Sequence, residues 1–166
     1  MPYDPSLKFS NYVAVGFYGS DTVTIVQMAD LMSTVLPPTP MPHLPVSLLL
    51  SQFTPEESDR RRPIGYSKNH PTHLLVGLGD GNVHAYSLNF APGQATIVDD
   101  KLIPLGSTRP AILVPIRTSL GSNDNQRCVF VSGGIPAVLY WHNGRLKHSP
   151  LVRKVSGKLF PTPWCS

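Results

Sequence analysis

His73-Leu74-Leu75-Val76-Gly77-Leu78 runs through Gly79-Asp80-Gly81 into Asn82-Val83-His84-Ala85-Tyr86-Ser87-Leu88. The first arm is apolar and rich in strand formers. In the second, Val83, Ala85, Tyr86 and Leu88 alternate with Asn82, His84 and Ser87 in a period close to two. An Asp-Gly pair between two such runs is a strong hairpin signal, and in its tightest form both turn residues take a positive φ. The stretch therefore reads as two antiparallel strands. Similar units of apolar run, small turn and alternating run recur on either side of it, which points to a repeating all-β architecture.

Composition agrees. Of 166 residues, 41% are hydrophobic, 14% are charged and 18 are proline. The charged fraction falls below the roughly 25% usual for soluble domains, and low charge with abundant proline favours sheets and turns over helices. No segment sustains the three-to-four-residue spacing of a long amphipathic helix. No apolar run approaches the ~20 residues of a membrane-spanning helix, so no membrane association is expected. The N-terminal Met1-Pro2-Tyr3-Asp4-Pro5 lacks the basic and apolar regions of a secretory signal. Two cysteines far apart, Cys128 and Cys165, fit a reduced intracellular chain. The net charge of +4 is spread out, apart from Arg60-Arg61-Arg62 and the later residues Arg145, Lys147, Arg153, Lys154 and Lys158. A nucleic-acid surface gathers its cations and interleaves aromatics, so direct nucleic-acid binding is not expected.

Strands are predicted at Val13–Tyr18, Thr22–Gln27 and Leu31–Leu36, with turns at Gly19-Ser20-Asp21 and Ala29-Asp30. Five prolines from Pro37 to Pro45 predict a connecting loop, because proline lacks the amide donor. Val46–Phe53 is the next strand. Thr54–Thr72 reads as an exposed insertion with a short helix at Pro55–Arg60. After the hairpin come a loop at Ala91-Pro92-Gly93 and a strand at Lys101–Leu105. Ala111–Thr118, Cys128–Ser132, Ala137–Trp141 and Arg145–Ser149 follow, with turns at Gly133-Gly134 and Asn143-Gly144 and a polar loop at Ser119–Gln126.

The strands group into sets over residues 13–36, 46–105 and 111–149, inside one unit at 13–155 that carries the insertion 54–72. Residues 1–12 form a lead-in and 156–166 an irregular tail. Four antiparallel strands per unit is the pattern of a β-propeller blade, and a propeller closes with ~4–8 blades. Two to three blades make an incomplete ring, so the fold expected is a partial β-propeller. Blades cover their apolar faces with neighbours. Several hundred square ångströms left bare at about 25 cal/mol per Å² forfeits on the order of 10 kcal/mol.

The order of motifs resembles the middle propeller of the DNA damage-binding protein 1 family. The resemblance rests on Ala14-Val15-Gly16-Phe17-Tyr18, on His73–Gly81 leading into Tyr86-Ser87-Leu88-Asn89, and on Leu105-Gly106-Ser107-Thr108-Arg109-Pro110. Phe130-Val131-Ser132, Pro136-Ala137-Val138-Leu139-Tyr140 and Asn143-Gly144-Arg145-Leu146 complete it, over roughly Val13 to Val155. Two relatives share the architecture: the large subunit of cleavage and polyadenylation specificity factor and splicing factor 3B subunit 3. The resemblance implies a non-catalytic scaffold from the cullin-docking propeller of the adaptor of cullin-4 ubiquitin ligases. Its implied partners are a cullin-4-type scaffold and, through the parent protein, substrate receptors. Its implied setting is the DNA damage response and protein ubiquitination, in the nucleus and also the cytoplasm. The alternative is a scaffold of a polyadenylation or splicing complex. Tyr18 falls where the family carries an aromatic after the Gly-hydrophobic pair and is the candidate partner-binding residue; local packing at a strand end is the competing account.

Catalytic, metal and cofactor motifs are weak. Gly77-Leu78-Gly79-Asp80-Gly81 lacks the third glycine and the following helix of a dinucleotide fingerprint, since Asn82 and a strand come next. His70 and His73, and His142 and His148, have no cysteines at ligand spacing and read as surface residues. Asp99-Asp100, read as a loop before a strand, point to opposite sides and make no acid/base pair. Cys128 reads as a small core residue in an apolar strand. No enzyme, metal or cofactor is expected.

Overall fold

The computed structural model describes residues 11–28, 33–53, 72–119, 125–142 and 144–151, and every regular element among them is a strand. Tyr12–Phe17 (β1), Thr22–Gln27 (β2) and Thr34–Pro40 (β3) form the first sheet. Pro45–Gln52 (β4), Thr72–Leu78 (β5), Val83–Ala91 (β6) and Gln94–Ile103 (β7) form the middle sheet. Ile112–Ser119 (β8), Asn125–Ser132 (β9), Ala137–His142 (β10) and Arg145–Pro150 (β11) form the third. Each sheet is an antiparallel meander in chain order, and the described strands close no ring. This is a partial β-propeller.

Strand β5 shows why the sheets stack. Every residue from Thr72 to Leu78 is buried, because both faces of the middle sheet are covered. Leu74, Val76 and Leu78 point to one side, where they join Tyr86 and Leu88 against Val23, Ile25, Val35 and Leu36 of the first sheet. Leu75 points to the other side, with Val83, Ala85 and Ile103, against Leu113, Val129, Val131 and Leu139 of the third. A strand buried on both faces loses the polar alternation of a half-exposed one, which accounts for the unbroken apolar run.

Contacts between the sheets are close. Gly77 lies against the backbone carbonyl of Ala111, with no room for a Cβ. The Leu78 carbonyl accepts hydrogen bonds from the N–H groups of Gly81, at 3.1 Å, and Ala111, at 3.0 Å. Ser47 Oγ on β4 accepts from the Leu113 N–H on β8 at 3.1 Å.

Several expectations are corrected. The prolines do not make a loop from Pro37 to Pro45: Pro37, Pro38 and Pro40 lie in β3 and Pro45 opens β4. The third strand is accordingly shifted from Leu31–Leu36 to Thr34–Pro40. Sheet position explains both. β3 is an edge strand, and its register with β2 slips between Ile25↔Leu36 and Val23↔Thr39, so Pro37 and Pro38 fall in a bulge. β4 is also an edge strand, and Pro45 is its first residue. Edges, bulges and first positions are where a missing amide breaks no ladder.

The central turn also differs from the two-residue form. Asp21 is the sole non-glycine with positive φ among the described residues, so Asp80 keeps a negative φ and only Gly81, at φ 90°, enters the left-handed region. Gly81 N–H donates to the Leu78 carbonyl at 3.1 Å and Leu78 N–H to the Asn82 carbonyl at 2.9 Å. That is a three-residue loop in which a type I turn ends in a glycine bulge. Asp80 supports it through its carboxylate, which accepts from the Asn82 backbone N–H at 3.0 Å.

β7 starts at Gln94, not Lys101, and Pro92-Gly93 is the whole turn before it, with Gly93 at φ 76°. Asp99 and Asp100 therefore sit within a strand, paired to Ser87 and Tyr86. Nor is His73 a surface residue: it is 2% exposed. Its ring lies between those of Phe53 and Trp141, with centroids at 5.4 and 5.2 Å. Cys128 is buried in β9, as a core residue would be. Of the expected lead-in, insertion and polar loop, Tyr12 lies in β1, Thr72 in β5, Ser119 in β8, and Asn125 and Gln126 in β9. The remainder from 1–10, 54–71 and 120–124, with the expected helix, the expected Ala29-Asp30 turn, His70 and the tail with Cys165, lies outside the described residues.

Candidate interaction surfaces

Strand tips and inter-sheet connections meet at one end of the stack. The Met41 N–H, in the β3–β4 connection, donates to the Asp21 carbonyl of the β1–β2 turn at 2.8 Å. The Gly79 N–H of the β5–β6 turn donates to the Leu44 carbonyl at 2.9 Å. In the β7–β8 connection, Ser107 Oγ accepts from the N–H of Arg109 at 3.0 Å and from that of Gly134, in the β9–β10 turn, at 2.8 Å. Each turn is thereby tied to the connection beside it. Loops held by a rigid scaffold are the usual place for binding residues.

Phe17 and Tyr18 occupy this tip face at the end of β1, 46% and 76% exposed. Tyr18 lies in the turn beyond the strand, where Asp21 takes a φ of 46°. The exposed Ile135, beside Gly106, extends apolar surface to the far side of the same face.

Two further surfaces are the outer faces of the end sheets. On the third sheet the register places Ile112 and Val114 on the face away from the middle sheet, with Phe130, Val138 and Tyr140 beside them. Ile112 and Val114 are each 43% exposed, and the other three are half-buried. On the first sheet, Val13, Val15 and Val26 lie in the corresponding outward row, and Phe17, the last residue of β1, stands where that row meets the tip face. The sequence reading anticipated bare apolar faces in general terms; the register names the residues.

A polar chain missed by the sequence reading lies near the first interface. His84 Nε2 stands 3.6 Å from Asp100 Oδ2 on the neighbouring β7. Its Nδ1 lies 3.0 Å from the Tyr86 hydroxyl, which also approaches Met41 Sδ at 3.6 Å. With Nε2–H directed at Asp100, Nδ1 accepts the Tyr86 proton. Burial lowers the His84 pKa, against the opposing pull of Asp100. Burial, then the negative charge of Asp100, pushes the Tyr86 hydroxyl up to about 12. His84 and Tyr86 are two apart and share a strand face, but Asp100 reaches them only through the β6–β7 register. The tyrosine is 4% exposed, so this chain locks packing and presents no reactive hydroxyl to solvent.

Asp99 and Asp100 face opposite sides of β7, as expected from their adjacency. His142 and His148 stand on adjacent strands but are not directly paired: His142 pairs with Arg145, and His148 with Leu139. Among the described residues, no three His, Cys, Asp or Glu side chains converge as a metal ion would need. No helix among them is long and apolar enough to cross a membrane.

Known proteins share this pattern. A family model described as RSE1/DDB1/CPSF1 second beta-propeller matches residues 3–161, past Val155 where the motif resemblance stops. DNA damage-binding protein 1 of Drosophila melanogaster is 29% identical over 148 residues, covering 89% of this chain and 11% of that protein. The proteins of the same name from Oryza sativa subsp. japonica and Solanum lycopersicum are 25% and 26% identical over 160 residues, each covering 96% of this chain and 13% of the relative. The chain thus spans 11–13% of the length of these relatives. With a match over nearly its whole length and three stacked antiparallel sheets, the chain belongs to the RSE1/DDB1/CPSF1 second β-propeller family.

Proposed function

We propose that the chain is a non-catalytic scaffold whose tip face docks a cullin-4-type protein, within DNA-damage-linked ubiquitination in the nucleus. The observation that carries this reading is the exposed Phe17-Tyr18 pair on a face where every turn is hydrogen-bonded to its neighbour. Ordered aromatics lose little entropy on docking and make strong anchors. The similar proteins from fly and rice are named DNA damage-binding protein 1, which supports the biological setting. Substrate receptors would reach this module through other parts of a parent protein.

Co-precipitation of the tagged chain with the N-terminal region of a cullin-4 scaffold tests the docking. Tyr18→Ala is expected to weaken recovery about tenfold or more, in the range of an interface anchor. No recovery with the unaltered chain, or equal recovery with the variant, contradicts it. The family description also spans RSE1 and CPSF1, which favours a second reading as a scaffold in RNA processing. Recovery of polyadenylation or splicing factors in place of the cullin would select that reading.

A further inference from the structure

The two wedges between the sheets are built differently. Between the first and middle sheets, β1 packs on β4 and β3 packs on β7, so inner and outer strands both meet. Between the middle and third sheets, β8 packs on β4 and β5. Their outer strands, β7 and β11, instead flank a cavity of about 190 Å³. It lies toward the end of the stack opposite the tip face, beside the β10–β11 turn at Gly144.

The cavity has an aromatic wall and a charged mouth. His73 and half-buried Trp141 form the wall, with ring centroids 5.2 Å apart. Lys101 and Asp99 come from β7 and Arg145 from β11. Lys101 Nζ donates to the Leu146 carbonyl at 3.0 Å, which holds the ammonium across the gap. Among the described residues no ion pair neutralises Lys101 or Arg145. Two cations against one carboxylate leave the mouth with a net positive charge.

Size and edges add to this. The cleft is partly open and its lining mixes polar and apolar groups, with room for about one aromatic ring beside Trp141. β7 and β11 are both outermost in their sheets, so each carries main-chain groups that its own ladder does not use. Such groups are what an extended peptide pairs with.

We propose that this cleft is a peptide-binding site for an extended acidic segment of a partner protein, with an aromatic side chain seated against Trp141 and flanking carboxylates on Lys101 and Arg145. The site is separate from the tip face and does not depend on which scaffold docks there.

Fluorescence anisotropy tests it, using the full chain carried on a solubility tag. The probe is a short fluorescein-labelled peptide with one phenylalanine between pairs of aspartates and glutamates. Saturable binding is expected, weakened about tenfold by Arg145→Glu and by about as much when alanine replaces the probe's phenylalanine. Lys147→Glu makes the same charge change on β11 outside the cleft and is expected to leave affinity within about twofold. A lysine-flanked version of the probe is expected not to bind. Absence of saturable binding, equal binding by Arg145→Glu with its circular dichroism unchanged, an equal loss in Lys147→Glu, or preference for the lysine-flanked probe would each overturn the proposal.

Discussion

The backbone N–H of Ala111 donates to the carbonyl of Leu78 at 3.0 Å, joining the residue just before β8 to the last residue of β5. Together with the Leu113–Ser47 bond it ties the start of the third sheet to the middle one. Gly77 next to it lies against the Ala111 carbonyl, and Gly81 lies against the Ser107 and Arg109 carbonyls while holding a φ of 90°.

Gly77→Ala is therefore expected to push the two sheets apart, at a cost of about 2–3 kcal/mol, typical of overpacking against backbone. Gly81→Ala adds a strained φ to the same kind of clash and should cost at least as much. Urea unfolding followed by circular dichroism gives both values. Midpoints equal to that of the unaltered chain would mean that the sheets are not in register contact at this seam.

Ser107 holds the β7–β8 connection against the β9–β10 turn with two accepted hydrogen bonds. Ser107→Ala should cost about 1–2 kcal/mol, as expected when a side chain that satisfies local backbone donors is removed. The same unfolding measurement reads it, and amide exchange at Gly134 should speed up in parallel.

The His84–Tyr86 pair makes stability depend on pH in two windows. The His84 pKa is lowered in the folded chain, so below the unfolded value of about 6.5 the unfolded state takes the proton more readily and stability falls as pH drops. Tyr86 keeps its proton up to about 12 when folded, whereas the unfolded hydroxyl ionises near 10, so stability falls again as pH rises from about 10 to 12. The alkaline loss attributable to Tyr86 is of order 1–2 kcal/mol. Tyr86→Phe should flatten that limb, and His84→Gln the acidic one. Urea midpoints measured across pH check both, and unchanged slopes in the variants would contradict the assignment.

Bare outer faces predict sticky behaviour. The isolated chain is expected to bind a hydrophobic dye, to sediment as species larger than a monomer, and to melt over a broad range. Val114→Asp, on a half-exposed position of the third sheet, should reduce dye binding and shift the chain toward monomer, with stability changed by less than about 0.5 kcal/mol. A monomer with a sharp cooperative melt and no dye binding would show that these faces are covered from within the chain.

Some of this was readable from residues alone. Leu74 to Leu78 announce a strand because the run is apolar and rich in strand formers, and the glycine-bearing turns mark the hairpins; that both its faces are covered is seen only in the stacking of the sheets. Pro37 and Pro38 mislead because a missing amide breaks a ladder only where a partner strand waits for it, and edge status is a tertiary property. His73 looks like a surface residue because the Phe53 and Trp141 rings that enclose it are 20 and 68 positions away along the chain. The cleft was invisible for the same reason: Lys101 and Leu146, which span it, are 45 positions apart. Tyr18 was named from a motif, and only the turn beyond β1 shows how far it stands into solvent.

The double burial of β5 implies an order of disassembly. Either outer sheet can peel away while the other core survives, but the middle sheet cannot leave without dissolving both, so its amides should be the last to exchange with deuterium. Fraying runs inward from the two ends, and Leu75 and Val76 mark where it stops.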